Sequence, residues 1–158
     1  MKNTHRNNNM KIYEGLKLGK GARRDPVCPQ TTSELIRYIN SLDNDDFIDV
    51  GNVDISNLTS LSWMFQDCTN LISVNASSWR TGKVTSMVRV FQNCQKLKTL
   101  DVTDWDVSKV ETMHYLFFQC YELETIIGLD TWDTKSLVDM ASVFARCHKI
   151  KSLSDIEL

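Results

Sequence analysis

Trp105–Thr131, WDVSKVETMHYLFFQCYELETIIGLDT, decides the fold because the chain writes this stretch four times. Its apolar positions are Trp105, Val110, Met113, Leu116, Phe117, Cys120, Leu123 and Ile126. One copy earlier stand Trp79, Val84, Met87, Val90, Phe91, Cys94, Leu97 and Leu100. One copy later stand Trp132, Leu137, Met140, Val143, Phe144, Cys147, Ile150 and Leu153. The first copy is more divergent, with Val53, Leu58, Leu61, Met64, Phe65, Cys68, Leu71 and Val74. The phenylalanines recur after 26, 26 and 27 residues, and the cysteines follow the same series. A fixed period between about 20 and 50 residues is the mark of a stacked-repeat solenoid.

Within a copy the apolar residues fall mostly three apart. Val110-x-x-Met113-x-x-Leu116-Phe117 has the spacing of a short helix with one buried stripe. Ser108 and Thr85, near the start of their copies, suit helix entry, since a hydroxyl satisfies an orphan N–H. Leu97–Val102 alternates toward its end like a strand with one buried face. Each copy therefore reads as one helix-plus-strand turn that cannot bury its stripe alone, and stacking makes the core continuous.

Upstream, Thr31-Thr32-Ser33-Glu34 is a capping-box pattern opening a helix with Leu35, Tyr38, Ile39 and Leu42 on one face. Asp43–Asp46 breaks it. Ile48 and Asp49 stand 26 residues before Val74 and Asn75, which makes Phe47–Val50 a zeroth strand. Residues 31–52 thus read as an N-terminal cap on four repeats spanning 53–158. The third copy holds one extra residue around Ile127-Gly128-Leu129-Asp130, and glycine inside a strand predicts a bulge there. Leu153–Leu158 reads as the last strand. Either Asp155 and Glu157 blunt its open edge, or the edge docks on another molecule, a second copy included.

The run Met-Phe-x-x-Cys-x-x-Leu followed by a Leu-x-x-Leu-x-Val strand resembles the BspA-type leucine-rich-repeat family. More closely, Met64-Phe65…Cys68…Leu71, Leu97…Leu100-Asp101-Val102…Trp105-Asp106-Val107-Ser108…Val110…Met113 and Trp132-Asp133-Thr134 are similar to the repeat of mycoplasma-type surface lipoproteins. The resemblance covers Val53 to about Leu153. It implies a curved solenoid used in adhesion or protein binding, with no shared catalytic residues.

The chain has 158 residues, 42% apolar and 24% charged, ordinary for one soluble domain with a real core. No run of about 18 apolar residues is present, and Met1–Met10 has no apolar segment of the kind a secretory signal needs. The expected compartment is cytoplasmic. Residues 1–30 hold seven basic residues (Lys2, Arg6, Lys11, Lys17, Lys20, Arg23, Arg24) against Glu14 and Asp25, an excess of five positive charges. The whole chain is −2, so the remainder carries seven excess negative charges. Such a basic arm is either a solvated terminus or a contact for nucleic acid or an acidic protein.

Candidate chemistry is sparse. Cys68, Cys94, Cys120 and Cys147 share one repeat position, which predicts a buried ladder of thiols, each able to bond a neighbouring turn's carbonyl. No Cys-x-x-Cys pair or Cys/His spacing of the zinc type occurs, and Cys28 stands apart. His5, His114 and His148 are scattered, with His114 expected on the outer side of its helix. No nucleophile, base and acid recur together. Gly15-x-x-x-Gly19-Lys20-Gly21 lacks phosphate-loop spacing. The reading is a non-enzyme without metal or cofactor.

Two surfaces are candidates for binding. Trp79, Trp105 and Trp132 repeat and read as core, but other aromatics do not repeat. Trp63 and Tyr115 share an outward position held by Arg89 and Ser142 in the sister copies, while Phe118 and Tyr121 replace Gln92 and Gln95. Aromatic residues and arginine are the usual interface anchors, so Trp63, Arg89, Tyr115, Phe118 and Tyr121 form the first candidate surface; its rings either anchor a partner or fold over neighbouring turns. The second is the outward face of the strands, with Lys98, Asp101, Glu124 and Lys151; its alternating charges either pair across strands or read a partner. The expectation is an α/β, leucine-rich-repeat-like right-handed solenoid that binds a protein partner. An inhibitor from a phage or mobile element, occluding a host defence protein, would look like this. The alternatives are a surface adhesin and a nucleic-acid binder working through the arm.

Overall fold

The computed structural model describes residues 28–42 and 46–151. The basic arm and the expected last strand lie outside the described residues, apart from three residues at the arm's end. Helix α1, Thr32–Ser41, opens the described chain. Its N-cap Thr31 accepts from the Glu34 N–H as the capping pattern predicts, while the Glu34 carboxylate accepts at 2.8 Å from the N–H of Gln30, one residue before the N-cap position that the pattern expects. Leu35, Tyr38 and Ile39 are its buried face.

Four three-residue strands follow: β1 Phe47–Asp49, β2 Ser73–Asn75, β3 Thr99–Asp101 and β4 Thr125–Ile127. β1 pairs β2 and β3 pairs β4, both parallel. The Lys98 N–H, donating to Ile72 C=O at 3.0 Å, links the two pairs. Ile48 faces Val74 and Leu100 faces Ile126, the register that the 26-residue offset requires.

The helix expected in each copy is absent. Among the described residues the only helices are α1 and a one-turn 3-10 helix at Leu129–Thr131. The Val110–Cys120 type of segment is instead a run of tight turns whose backbone N–H groups alternate in destination. In the first copy the N–H groups of Leu61, Trp63, Phe65 and Asp67 reach the carbonyls of Ser86, Val88, Val90 and Gln92 one copy on, at 2.9–3.0 Å. Those of Met64, Gln66 and Cys68 close local turns onto Leu61, Trp63 and Phe65. The third copy repeats the scheme, with Met113, Tyr115, Phe117 and Gln119 reaching Asp139, Ala141, Val143 and Ala145. An α-helix spends every N–H within itself, whereas this arrangement spends every second one on its neighbour. The geometry needs a left-handed residue every fourth position. Trp63 and Asp67, Arg89 and Asn93, Tyr115 and Gln119, and Ser142 and Arg146 all have φ between 58° and 66°. Each costs about 1–2 kcal/mol as an L-residue, which the inter-copy hydrogen bonds and packing must offset.

That packing is a set of columns. Phe65, Phe91, Phe117 and Phe144 stack with centroids 5.1, 5.6 and 5.5 Å apart and rings within 11° of parallel. Trp79 and Trp105 stack beside them at 5.8 Å. The Trp79 indole N–H donates to the Val50 carbonyl, 3.1 Å away. One contiguous core runs from Leu35 to Val143. It thins in the last copy, where Phe144, Cys147 and Ile150 are only partly covered and Met140 and Val138 are exposed.

The extra residue of the third copy does not bulge the strand, because β4 keeps the 26-residue register along its length. It is absorbed just after, where Gly128 turns left-handed (φ 83°) into the 3-10 helix. A Cβ there would sit 2.4 Å from Thr103 Cα, so only glycine passes.

Candidate functional site

The turn run sets where the non-repeating aromatics point. Trp63, Arg89 and Tyr115 occupy the same left-handed position in successive copies and so form a column across the stack. The structure brings the two later members together: the Arg89 guanidinium lies over the Tyr115 ring, 5.3 Å from its centroid. Tyr115 meets Phe118 edge-on at 5.2 Å, and Arg146 lies over Phe118 at 5.8 Å. The result is a continuous line, Arg89–Tyr115–Phe118–Arg146. His114 caps one side, edge-on to Tyr115 at 5.5 Å. The rings are half-buried, so they partly fold over neighbouring turns and partly face solvent.

The other two rings of the expected group stand slightly apart. Tyr121 stacks on His148 at 6.0 Å with the rings 2° from parallel, and its hydroxyl accepts from the Gln119 amide. Trp63, 52% exposed, is the most exposed of the large hydrophobic rings among the described residues, and no ring among them packs on it. Arg146, His114 and His148 were not foreseen as members. His148 and Arg146 belong to the fourth copy, and they reach the third only because the copies stack.

The strand-face candidates are placed less suggestively. Lys151 pairs with Glu124 at 3.1 Å, and the neighbouring Lys149 pairs with Glu122. Lys151 holds the Glu124 carboxyl below its ordinary range. Exposed pairs of this kind are screened by solvent and add little to stability. Lys98 makes no ion pair among the described residues. Asp101 is occupied within its own turn, accepting from the Thr103 hydroxyl at 2.7 Å and the Thr103 N–H at 3.0 Å. The face therefore spends most of its charge on itself.

One cluster imitates a catalytic set. Thr112 Oγ1 lies 3.2 Å and Asp139 Oδ2 2.9 Å from His114, but both contact Nδ1. A relay needs the nucleophile and the orienting carboxylate on opposite ring nitrogens, so this geometry cannot pass a proton from Thr112 toward Asp139. What it does is fix the His114 ring against Tyr115. Of the four repeat thiols Cys68, Cys94 and Cys120 are buried and Cys147, expected to be buried too, is only partly covered at the thin end of the core; burial pushes Cys68 up to about 11 and Cys94 well above the ordinary thiol range. No group of three or more His, Cys, Asp or Glu side chains able to hold a metal occurs among the described residues. No helix among them is long and apolar enough to cross a membrane.

Residues 34–156 match the family described as Mycoplasma protein of unknown function, DUF285. The chain belongs to this family. The match begins inside α1 and runs through all four copies, so the cap and the repeats fall within one family unit. No curated protein matches this DUF285 chain, and no solved structure does.

Proposed function

We propose that this DUF285 chain is a non-enzymatic protein-interaction module, a leucine-rich-repeat-like right-handed solenoid of the BspA type. It binds a protein partner through the face carrying Trp63, Arg89, Tyr115, Phe118 and Tyr121. The observation that carries this reading is the line Arg89–Tyr115–Phe118–Arg146. The stack does not need these rings, since sister copies place Ser142, Gln92 or Ala145 at the same positions. Half-buried aromatics flanked by arginine are the composition of interface anchors.

The reading predicts which change abolishes binding. A partner captured from the native host and identified by mass spectrometry supplies the ligand, and its affinity is measured for three proteins. Deleting residues 1–24 should leave affinity within about fivefold, because this reading places none of the interface there and a screened charge contributes about 0–1 kcal/mol. Tyr115→Ala with Phe118→Ala should weaken it about 30-fold or more, the weight of a central anchor. Loss of binding with the deletion alone would move the interface to the arm.

A further inference from the structure

Resting on that reading, we infer that the partner docks an acidic segment here, its carboxylates received by Arg89 and Arg146 and an apolar or aromatic side chain between them covering Tyr115 and Phe118. Each guanidinium already lies against a ring, at 5.3 and 5.8 Å, and neither forms an ion pair among the described residues. Stacking holds a planar fork in place while leaving its N–H edge for bidentate bonds, so less entropy is lost when a carboxylate arrives. The acidic side chains at the border are already engaged. Asp139 accepts from His114 Nδ1 and from the Ala141 N–H, and Glu122 takes Lys149. Among the described residues the two arginines are thus the cations of this surface that no carboxylate pairs.

A phosphate backbone fits less well. Residues 31–158 carry seven excess negative charges, so a polyanion would meet net repulsion from the body. A short segment with two or three carboxylates meets less of that repulsion, because screening confines its interactions to the neighbourhood of the two arginines. Charge complementarity with an apolar centre selects an acidic peptide segment.

The test uses the full chain and a random peptide library displayed on phage. The wild-type protein should enrich sequences with Asp or Glu on both sides of an apolar or aromatic residue. The best of them, synthesised, should bind about tenfold more weakly to Arg89→Gln with Arg146→Gln, as expected when charge-assisted bonds are lost. The same peptide with Asn and Gln in place of its acids should not distinguish the two proteins. Enrichment of neutral or basic peptides, or of none, overturns the inference, as does tighter binding of single-stranded oligothymidylate. If the arginine changes have no effect while Tyr115→Ala with Phe118→Ala abolishes peptide binding, the acidic partner is wrong and the ring surface stands. If neither pair of changes matters, both fall.

Discussion

The thiol of Cys120 donates to the backbone carbonyl of Phe91, 3.1 Å away and one copy earlier in the chain. Cys94 does the same to Phe65 at 3.1 Å, and Cys147 to Phe117 at 3.0 Å. Each of these carbonyls also closes a local turn, accepting from the N–H of its own copy's cysteine. One oxygen therefore ties the turn to itself and to the next copy. This is why a small residue with a weak donor recurs at the position.

Native labelling should follow from this burial. Cys28 is exposed, whereas Cys94 and Cys120 have no accessible surface and depressed thiolate content. Iodoacetamide should modify Cys28 quickly and leave Cys94 and Cys120 intact until denaturant is added, as read by intact mass and peptide mapping. Rapid native modification of either would contradict the stack.

The phenylalanine column makes a matching prediction about stability. Phe91→Ala and Phe117→Ala each remove a ring stacked on two neighbours and should cost about 3–5 kcal/mol. Phe144→Ala, at the partly covered end, should cost less. Urea melts with three equal losses would mean that the column is not graded toward its end.

Ser142→Gly separates a turn run from a helix. Ser142 is exposed at φ 59°, and its side chain makes no hydrogen bond among the described residues. Glycine there relieves about 1–2 kcal/mol of left-handed strain against about 0.5–1 kcal/mol of backbone entropy. The substitution should leave stability unchanged or slightly raised in a thermal melt. A loss of about 1 kcal/mol is what a helix interior would give.

The difference between those two conformations marks where the sequence stops being informative. The period was legible because whole columns repeat, and it placed Ile48 against Val74, buried the tryptophans and aligned the thiols. Spacing of three between apolar residues is shared by a helix and by a run of tight turns, so it could not separate them. The first left-handed position of each copy gave no warning, since Trp63, Arg89 and Tyr115 are not the glycine or asparagine usual there, although Asp67 and Asn93 at the second position are of the favoured kind. The ring surface was partly visible as departures from the repeat. Arg146 and the His114–Asp139 contact were not, because they join different copies and depend on the true turn geometry.

Acid should weaken the protein through its turn carboxylates. The Ser108 hydroxyl and N–H, at 2.7 and 3.0 Å, hold Asp106 below the ordinary carboxylate range, and Thr103 does so for Asp101. The Ser56 N–H lowers Asp54 in the same way. A folded value below the unfolded one stabilises the native state in full above about pH 4, and this contribution is lost as pH falls through the folded values. The urea midpoint should be flat between about pH 5 and 7 and decline below about 4. In Asp101→Asn with Asp106→Asn, whose amides still accept but do not titrate, the decline should be shallower. An unchanged decline would assign acid sensitivity to other groups.

Backbone hydrogen exchange of the full chain, with and without its captured partner, tests the proposed interface most directly. The account predicts that added protection concentrates at residues 114–121 and 142–148, where the ring and arginine line is built. Protection confined to the strand face around Lys98, Asp101 and Glu124, with the ring segments unchanged, would contradict it.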